Sequence, residues 1–361
     1  MANVKAAKPD ISAVGLIRRW MALKPVTADV AAVNRVADDL AACLRTHGVT
    51  VAVEELAGRR IVYASTRPET IPDLLLNAHL DVVPAADPLF TLREEGGTLF
   101  GRGVHDCLGN AAVIARVLLR LNGKASVGAI FSTDEETGGL TTAEMVRLGY
   151  GARKMALVLD GEGGAVTLAQ KGILNVRLTA HGRACHAAEP WLGDNALDRL
   201  LDGYARIRPL FPPAQPGDEW HNTLAATILH AGTVRNRVPE TAEMTLNIRF
   251  TEPGGDQAIL ERLRALSGLD VHGETDCQPL EAEAGHPLIR RLADAMSLRL
   301  GREIAFPRMN GATDARHFAA LGVPVAILGV PGRHAHADAE NLDAGMLPVY
   351  EEILAEFAAG L

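Results

Sequence analysis

The stretch that most constrains this chain is Leu74-Leu-Leu-Asn-Ala-His79-Leu-Asp81-Val-Val-Pro84, an apolar run that ends in a histidine, an aspartate two places on and then a proline. Such a run reads as a strand buried on both faces, as strands of a parallel sheet are when helices cover them. Residues two apart on a strand point to the same side. His79 and Asp81 can therefore share one site at the strand's carboxyl end, where open α/β sheets gather their ligands. There Asp81 would hold the imidazole that His79 offers to a metal. A buried histidine with a capping aspartate is the plainer alternative, and the rest of the chain has to decide between them.

The pattern around this strand is alternating. Helical spacing covers Ile11–Leu23 and Ala28–His47, with Gly48 as the stop after the second helix. Strands are expected at Val49–Glu55, Ile61–Ser65, Asp73–Asp81, Ser126–Thr133 and Met155–Leu159, and helices at Asn110–Leu121 and Thr141–Leu148. This predicts an α/β layer with a mostly parallel central sheet. After Gly172 the style changes. Leu174–Ala180, Thr223–Leu229 and Glu243–Phe250 read as strands beside two helices, Asn195–Phe211 and Asp256–Leu266, which suggests a small α+β domain set into the first. A helix at Leu288–Leu300, a strand at Val323–Leu328 and a helix at Leu342–Phe357 return to the opening style. A chain of 361 residues is long for one core, so two domains are expected in any case.

Composition narrows the partners. The formal net charge of −8 argues against nucleic acid and anionic membranes. Apolar runs such as Val323–Val330 are too short to span a bilayer, and the first residues, Met1 to Pro9, lack the apolar core of a secretory signal. Cys43, Cys107, Cys185 and Cys277 show neither zinc-finger nor disulfide spacing, which fits a reducing, cytoplasmic setting.

Acidic residues and histidines recur where predicted buried strands end. After His79 and Asp81 come Gly101-Arg-Gly-Val-His-Asp106, Asp134-Glu135-Glu136, Asp160-Gly-Glu162, and His334-Ala-His336 with Glu340. Two zinc ions in one site typically take His and carboxylate ligands with a bridging aspartate, and His79, Asp106, Glu136, Asp160 and His336 supply such a set. Glu135 is then left over beside Glu136, free to act as a general base. Taken singly, each has a plainer reading. Asp106 could cap a helix, Glu135-Glu136 could be a solvated pair, and His334 and His336 could be surface loop residues. Their joint recurrence at strand ends favours the site.

On His79-Leu-Asp81, Gly101-Arg-Gly-x-x-Asp106, Asp134-Glu135-Glu136-x-Gly138, Asp160, Asn310-Gly-Ala-Thr-Asp314 and His336-x-x-x-Glu340, the chain resembles the dinuclear zinc exopeptidase and deacylase family. That family includes acetylornithine deacetylase, succinyl-diaminopimelate desuccinylase, carboxypeptidase G and peptidase T. The resemblance runs nearly end to end. It implies a zinc-binding catalytic α/β domain, residues 1–171 and 280–361, and an inserted α+β lid and dimerisation domain, residues 172–279. It also implies two Zn²⁺, with Co²⁺ or Mn²⁺ as substitutes. Asp106 would bridge them, His79 and Asp160 would complete one, Glu136 and His336 the other, Asp81 would orient His79, and Glu135 would be the base.

Two segments depart from the family. Cys107-Leu108-Gly109 follows the bridging aspartate where a basic residue and glycine are usual. Asp160-Gly-Glu162-Gly stands where deacetylases often have Gly-Glu-Pro, so Glu162 is a second candidate beside Asp160. In the lid, His186 resembles the histidine that steadies the oxyanion of the partner subunit's site, and Asn236 and Arg249 lie in segments that resemble those holding a substrate carboxylate. An arginine fork suits a carboxylate, with a salt bridge on a sheet face as the less favoured reading of Arg249. The expected function is a metal-dependent amide hydrolase, acetylornithine deacetylase-like, acting on N-acyl amino acids as a cytoplasmic homodimer. A di- or tripeptidase and a catalytically inactive binding protein of this fold are the alternatives.

Overall fold

The computed structural model describes residues 10–361, so the reading of the first nine residues as carrying no secretory signal lies outside it. The described residues form two compact units: residues 10–168, 282–307 and 313–361 make the first, and residues 169–281 with 308–312 the second.

In the first unit, Leu74–His79 is a strand with all six residues buried, and Val127–Ser132 is another. Leu74, Leu75 and Leu76 are fully buried, each contributing roughly 1.5–3 kcal/mol by removal from water. The six-stranded sheet runs in the order Thr50–Leu56, Arg59–Ser65, Val127–Ser132, Leu74–His79, Met155–Gly163, Val325–Gly329. The last four pair in parallel and the first two join antiparallel at one edge, so the sheet is mostly parallel, as expected. Helix Leu108–Leu121 is buried nearly all round, which marks it as interior. Helix Val30–Thr46 is capped by Asp29, whose carboxylate accepts the Ala32 N–H at 2.9 Å. It is followed by Gly48 at φ +82°, a conformation that favours glycine.

The expected helix Leu342–Phe357 begins later than its pattern suggests. It spans Met346–Ala359, while Leu342 sits in a three-residue strand, Asn341–Asp343, facing Leu99. This strand, Thr98–Phe100, Arg93–Glu95 and Gly332–Arg333 form a small sheet that the sequence reading missed. Strands of two or three residues carry no periodicity to read.

The second unit is a four-stranded antiparallel sheet in the order Thr223–Ala231, Thr241–Phe250, Gly172–His181, Asp270–Cys277, with helices Ala196–Ile207 and Gly255–Ser267. Leu174, Val176, Leu178 and Ala180 point to one face and pack with Leu246, Ile248, Leu200 and Leu263. Among the described residues, no helix is long and apolar enough to cross a membrane.

Candidate metal centre

His79 ends its strand with its ring 1% exposed. Its Nδ1 donates to the Asp81 backbone carbonyl at 2.9 Å, which leaves Nε2 facing Asp106 Oδ1 at 2.9 Å. The Asp81 carboxylate stands 3.5 Å from Nδ1. Its oxygens accept instead from Thr27 Oγ1 at 2.8 Å and from the N–H groups of Glu135 and Glu136 at 3.2 and 3.4 Å. Asp81 therefore acts on the Glu135–Glu136 turn at least as directly as on the imidazole expected from the sequence. Burial works to raise its pKa, but His79, Thr27 and the Glu135 N–H outweigh burial and lower it.

Asp106 does not cap the helix that follows. That helix starts at Leu108, and its cap residue, Cys107, makes no side-chain cap. The Asp106 carboxylate is instead shared, Oδ1 with His79 and Oδ2 with His336 Nε2 at 3.1 Å. Its turn is held by a residue to which the sequence assigned no role. Glu340 is 1% exposed and accepts the N–H groups of Gly103, His105 and Asp106 at 3.0, 3.0 and 3.1 Å, together with Arg102 Nη1 at 2.7 Å. Arg102 Nη2 donates to the His336 carbonyl at 3.1 Å, tying that loop to the Asp106 turn. His334 and His336 both adopt left-handed backbone, φ +63° and +66°, a conformation uncommon outside glycine that clusters at functional sites.

His336 Nε2 also lies 3.0 Å from Glu136 Oε2, and His79 Nε2 lies 3.8 Å from Asp160 Oδ1. Asp81, Asp106, Glu135, Glu136 and Asp160 thus crowd five carboxylates about two imidazoles. Glu135 and Glu136 are only 12% and 7% exposed, so they are no solvated pair. Burial, then the nearby Asp160 charge, pushes the Glu135 pKa well up, and burial pushes Glu136 up to about 7. Burial also raises Asp160. Burial would raise Asp106 too, but His336 and His79 prevail and hold it low; the same contact with Asp106 lifts His336 to about 9. Glu136 Oε1 is buried with no hydrogen-bond partner. An orphaned carboxylate oxygen, a carboxylate divided between two imidazole nitrogens and a surplus of buried negative charge are what a pair of divalent cations would satisfy. His79, Asp106, Asp160, Glu136 and His336 fit that group.

Of the two candidates in the Asp160-Gly-Glu162 segment, the structure brings Asp160 to the cluster. Glu162 is exposed and lines an adjoining cleft of about 840 Å³ with His105, Arg333, His334 and Asp343. Cys107 is buried beside His79 and Asp160. Its Sγ donates to the Leu159 carbonyl at 2.8 Å, and burial pushes its pKa up to about 12. His186, Asn236 and Arg249 belong to the second unit. The Asn236 backbone carbonyl accepts the Ala187 N–H at 2.9 Å, and Arg249 Nε donates to Asn247 Oδ1 at 3.0 Å.

Residues 75–360 match the family model of peptidase family M20/M25/M40. A chain of Staphylococcus aureus named a probable succinyl-diaminopimelate desuccinylase is 27% identical over 345 residues, covering 79% of this chain and 82% of its own. The fold is shared with aminopeptidase PepT from Bacillus cereus, at a TM-score of 0.78 and 17% identity over 96% of this chain and 97% of that one. It is also shared with a dinuclear metal-binding M20 peptidase of Bacillus subtilis, at a TM-score of 0.71 and 15% identity over 96% of this chain and 97% of that one.

Proposed function

Because the chain belongs to peptidase family M20/M25/M40, a family of metal-dependent peptidases and amide hydrolases, we propose that it is a two-zinc hydrolase that releases amino acids from their N-acyl derivatives. The observation that carries this reading is the Asp106 carboxylate, divided between His79 and His336, with a second buried carboxylate, Glu135, near Asp160 and His79 and paired with neither imidazole. His79, Asp106 and Asp160 would hold one ion and Asp106, Glu136 and His336 the other. When bound, such a pair would supply Lewis acidity to the amide carbonyl and acidify a water molecule at the site. Glu135 takes the proton of that water as it attacks and delivers it to the departing amine nitrogen. Asp81 keeps the Glu135–Glu136 turn in place through its N–H groups, and Glu340 does the same for the turn that carries Asp106.

In this reading His186 steadies the developing oxyanion from a partner subunit, and Asn236 and Arg249 take the substrate carboxylate. Their lid motifs support these roles. A homodimer is supported by the edge strand Thr223–Ala231, where Ile228 and Leu229 are each 49% exposed, since such an edge is a ready surface for pairing. A tripeptidase is the second reading. It is favoured by the acidic side chains Glu162 and Asp343 in the cleft beside His105, which suit a peptide's α-ammonium.

The test is a hydrolysis screen of the zinc-loaded protein with N-acetyl and N-succinyl amino acids, dipeptides and tripeptides. Release of amino acids from the acyl substrates is expected. Cleavage of peptides alone would replace this reading by the second, and no turnover with both metals bound would remove the enzyme reading.

A further inference from the structure

Arg316 stands behind the site without being part of the cluster. It lies on the short helix Ala315–Phe318, its side chain 5% exposed, and its Nη2 is buried with no hydrogen-bond partner. That nitrogen faces Glu135 Oε1 at 3.9 Å. A buried donor left without a partner costs free energy, so its position answers to something other than packing.

The guanidinium is fixed from its other side. Arg316 Nε donates to His317 Nε2 at 3.1 Å. The same His317 nitrogen lies 3.3 Å from the Gly138 carbonyl, so His317 sits between Arg316 and the turn that continues from Glu135. Burial lowers the His317 pKa. The turn carrying Glu135 is shaped to admit the group. It continues through Gly138 to Gly139, and a Cβ on Gly139 would come within 3.1 Å of Arg316 Nη2, 3.0 Å of His317 Nε2 and 2.0 Å of Asp314 Oδ1. Gly139 also has φ +64°, so both its conformation and its lack of a side chain serve the approach of Arg316.

We propose that Arg316 is a positioning residue for Glu135, its locked guanidinium holding the carboxylate in one orientation from behind, so that the proton acceptor faces the reacting water. The inference rests on the reading of Glu135 as the base. A carboxylate crowded by Asp160 and Asp314 would otherwise turn away from them, and among its neighbours Arg316 supplies an opposing charge that is not an imidazole of the cluster.

The experiment compares Arg316→Met, Arg316→Lys, Glu135→Gln and the double variant Arg316→Met/Glu135→Gln. Bound zinc, kcat and KM are measured on the fastest substrate of the screen, and urea midpoints on the metal-free proteins. Arg316→Met should keep two zinc ions and a KM within about twofold of wild type while kcat falls by roughly 10²-fold, the scale of loss for a catalytic group misplaced by about 1 Å. Arg316→Lys, which keeps a charge, should regain about a tenth or more of the wild-type rate. In the Glu135→Gln background, Arg316→Met should cost no more than about twofold, and the urea midpoint losses of the single variants should not add in the double. The urea cycle reads the same coupling without turnover, and should Arg316→Met not fold, Arg316→Lys carries both cycles. An equal loss in both backgrounds, or a change in KM instead of kcat, overturns the proposal. A Glu135→Gln enzyme at wild-type rate overturns the base assignment itself, and is told apart because that single variant alone shows it.

Discussion

Replacing Glu340 with alanine should be among the most damaging single changes in the chain, although Glu340 is not expected to touch substrate or metal. The substitution leaves the Arg102 guanidinium, 2% exposed, without its carboxylate, and strips the N–H groups of Gly103, His105 and Asp106 of their acceptor. Burial raises the Glu340 pKa despite those donors, so the intact pair is no large net source of stability. The damage comes from what is left unpaired. Removing one partner of a buried pair costs about 3–5 kcal/mol, out of the roughly 5–15 kcal/mol that holds a typical domain folded. Metal affinity should also fall, by about 10–100-fold, because the Asp106 turn loses its anchor. Urea unfolding with a zinc titration measures both. In a double-mutant cycle, Arg102→Met should cost far less in the Glu340→Ala background than in wild type, since the guanidinium there has already lost its carboxylate and keeps only the His336 carbonyl. A Glu340→Ala protein within about 1 kcal/mol of wild type, the usual effect of an unremarkable substitution, with unchanged metal affinity, would refute the reasoning.

Asp106→Ala should lower both metal occupancy and rate, because its carboxylate meets both imidazoles; elemental analysis showing two tightly held ions would end its assignment as the bridge. Arg249→Ala should raise KM for substrates with a free α-carboxylate and matter much less for their amides, as steady-state kinetics on matched pairs would show. Lys154 and Arg153 lower the pKa of Asp73, and Ser126 and Arg153 outweigh burial to lower that of Glu69. Folded-state values below the unfolded ones mean that this stability is present above about pH 4 and is lost as pH falls through the lowered values. The urea midpoint lost in Arg153→Met should accordingly shrink between pH 7 and pH 3. Co-expressing Glu135→Ala with His186→Ala should restore activity in about a quarter of all sites if His186 acts across a dimer and pairing is random; confirmed mixed dimers without recovery would sink that role.

What the sequence made legible was carried by long apolar signals. The run Leu74 to Leu76 announces a strand covered on both faces, and the acidic and histidine residues at strand ends follow from it. What it hid depends on partners far along the chain or on weak patterns. Asp270–Cys277 is a strand whose residues are mostly polar and partly exposed, so no apolar alternation marks it. Leu342 looked like the start of a helix because its pairing with Leu99 is invisible along the chain. The link of Asp81 to His79 is legible because the two are neighbours in sequence, whereas its acceptance of the Glu135 and Glu136 N–H groups is not, since those lie 54 and 55 positions away. Arg316 carries no sequence signal at all, since its approach to Glu135 exists only in the folded chain.

The Arg102–Glu340 pair joins residues 238 positions apart. Contacts of such long range have to be closed against chain entropy and tend to form late in folding. Synthesis must pass Glu340 before Arg102 gains its carboxylate and the Asp106 turn its anchor. A nascent chain that ends before Glu340 therefore lacks the acceptor that holds the Asp106 turn. On the proposed reading, strong metal uptake would follow only once this closure has formed, and a truncation just before Glu340 should bind metal more weakly than the whole chain.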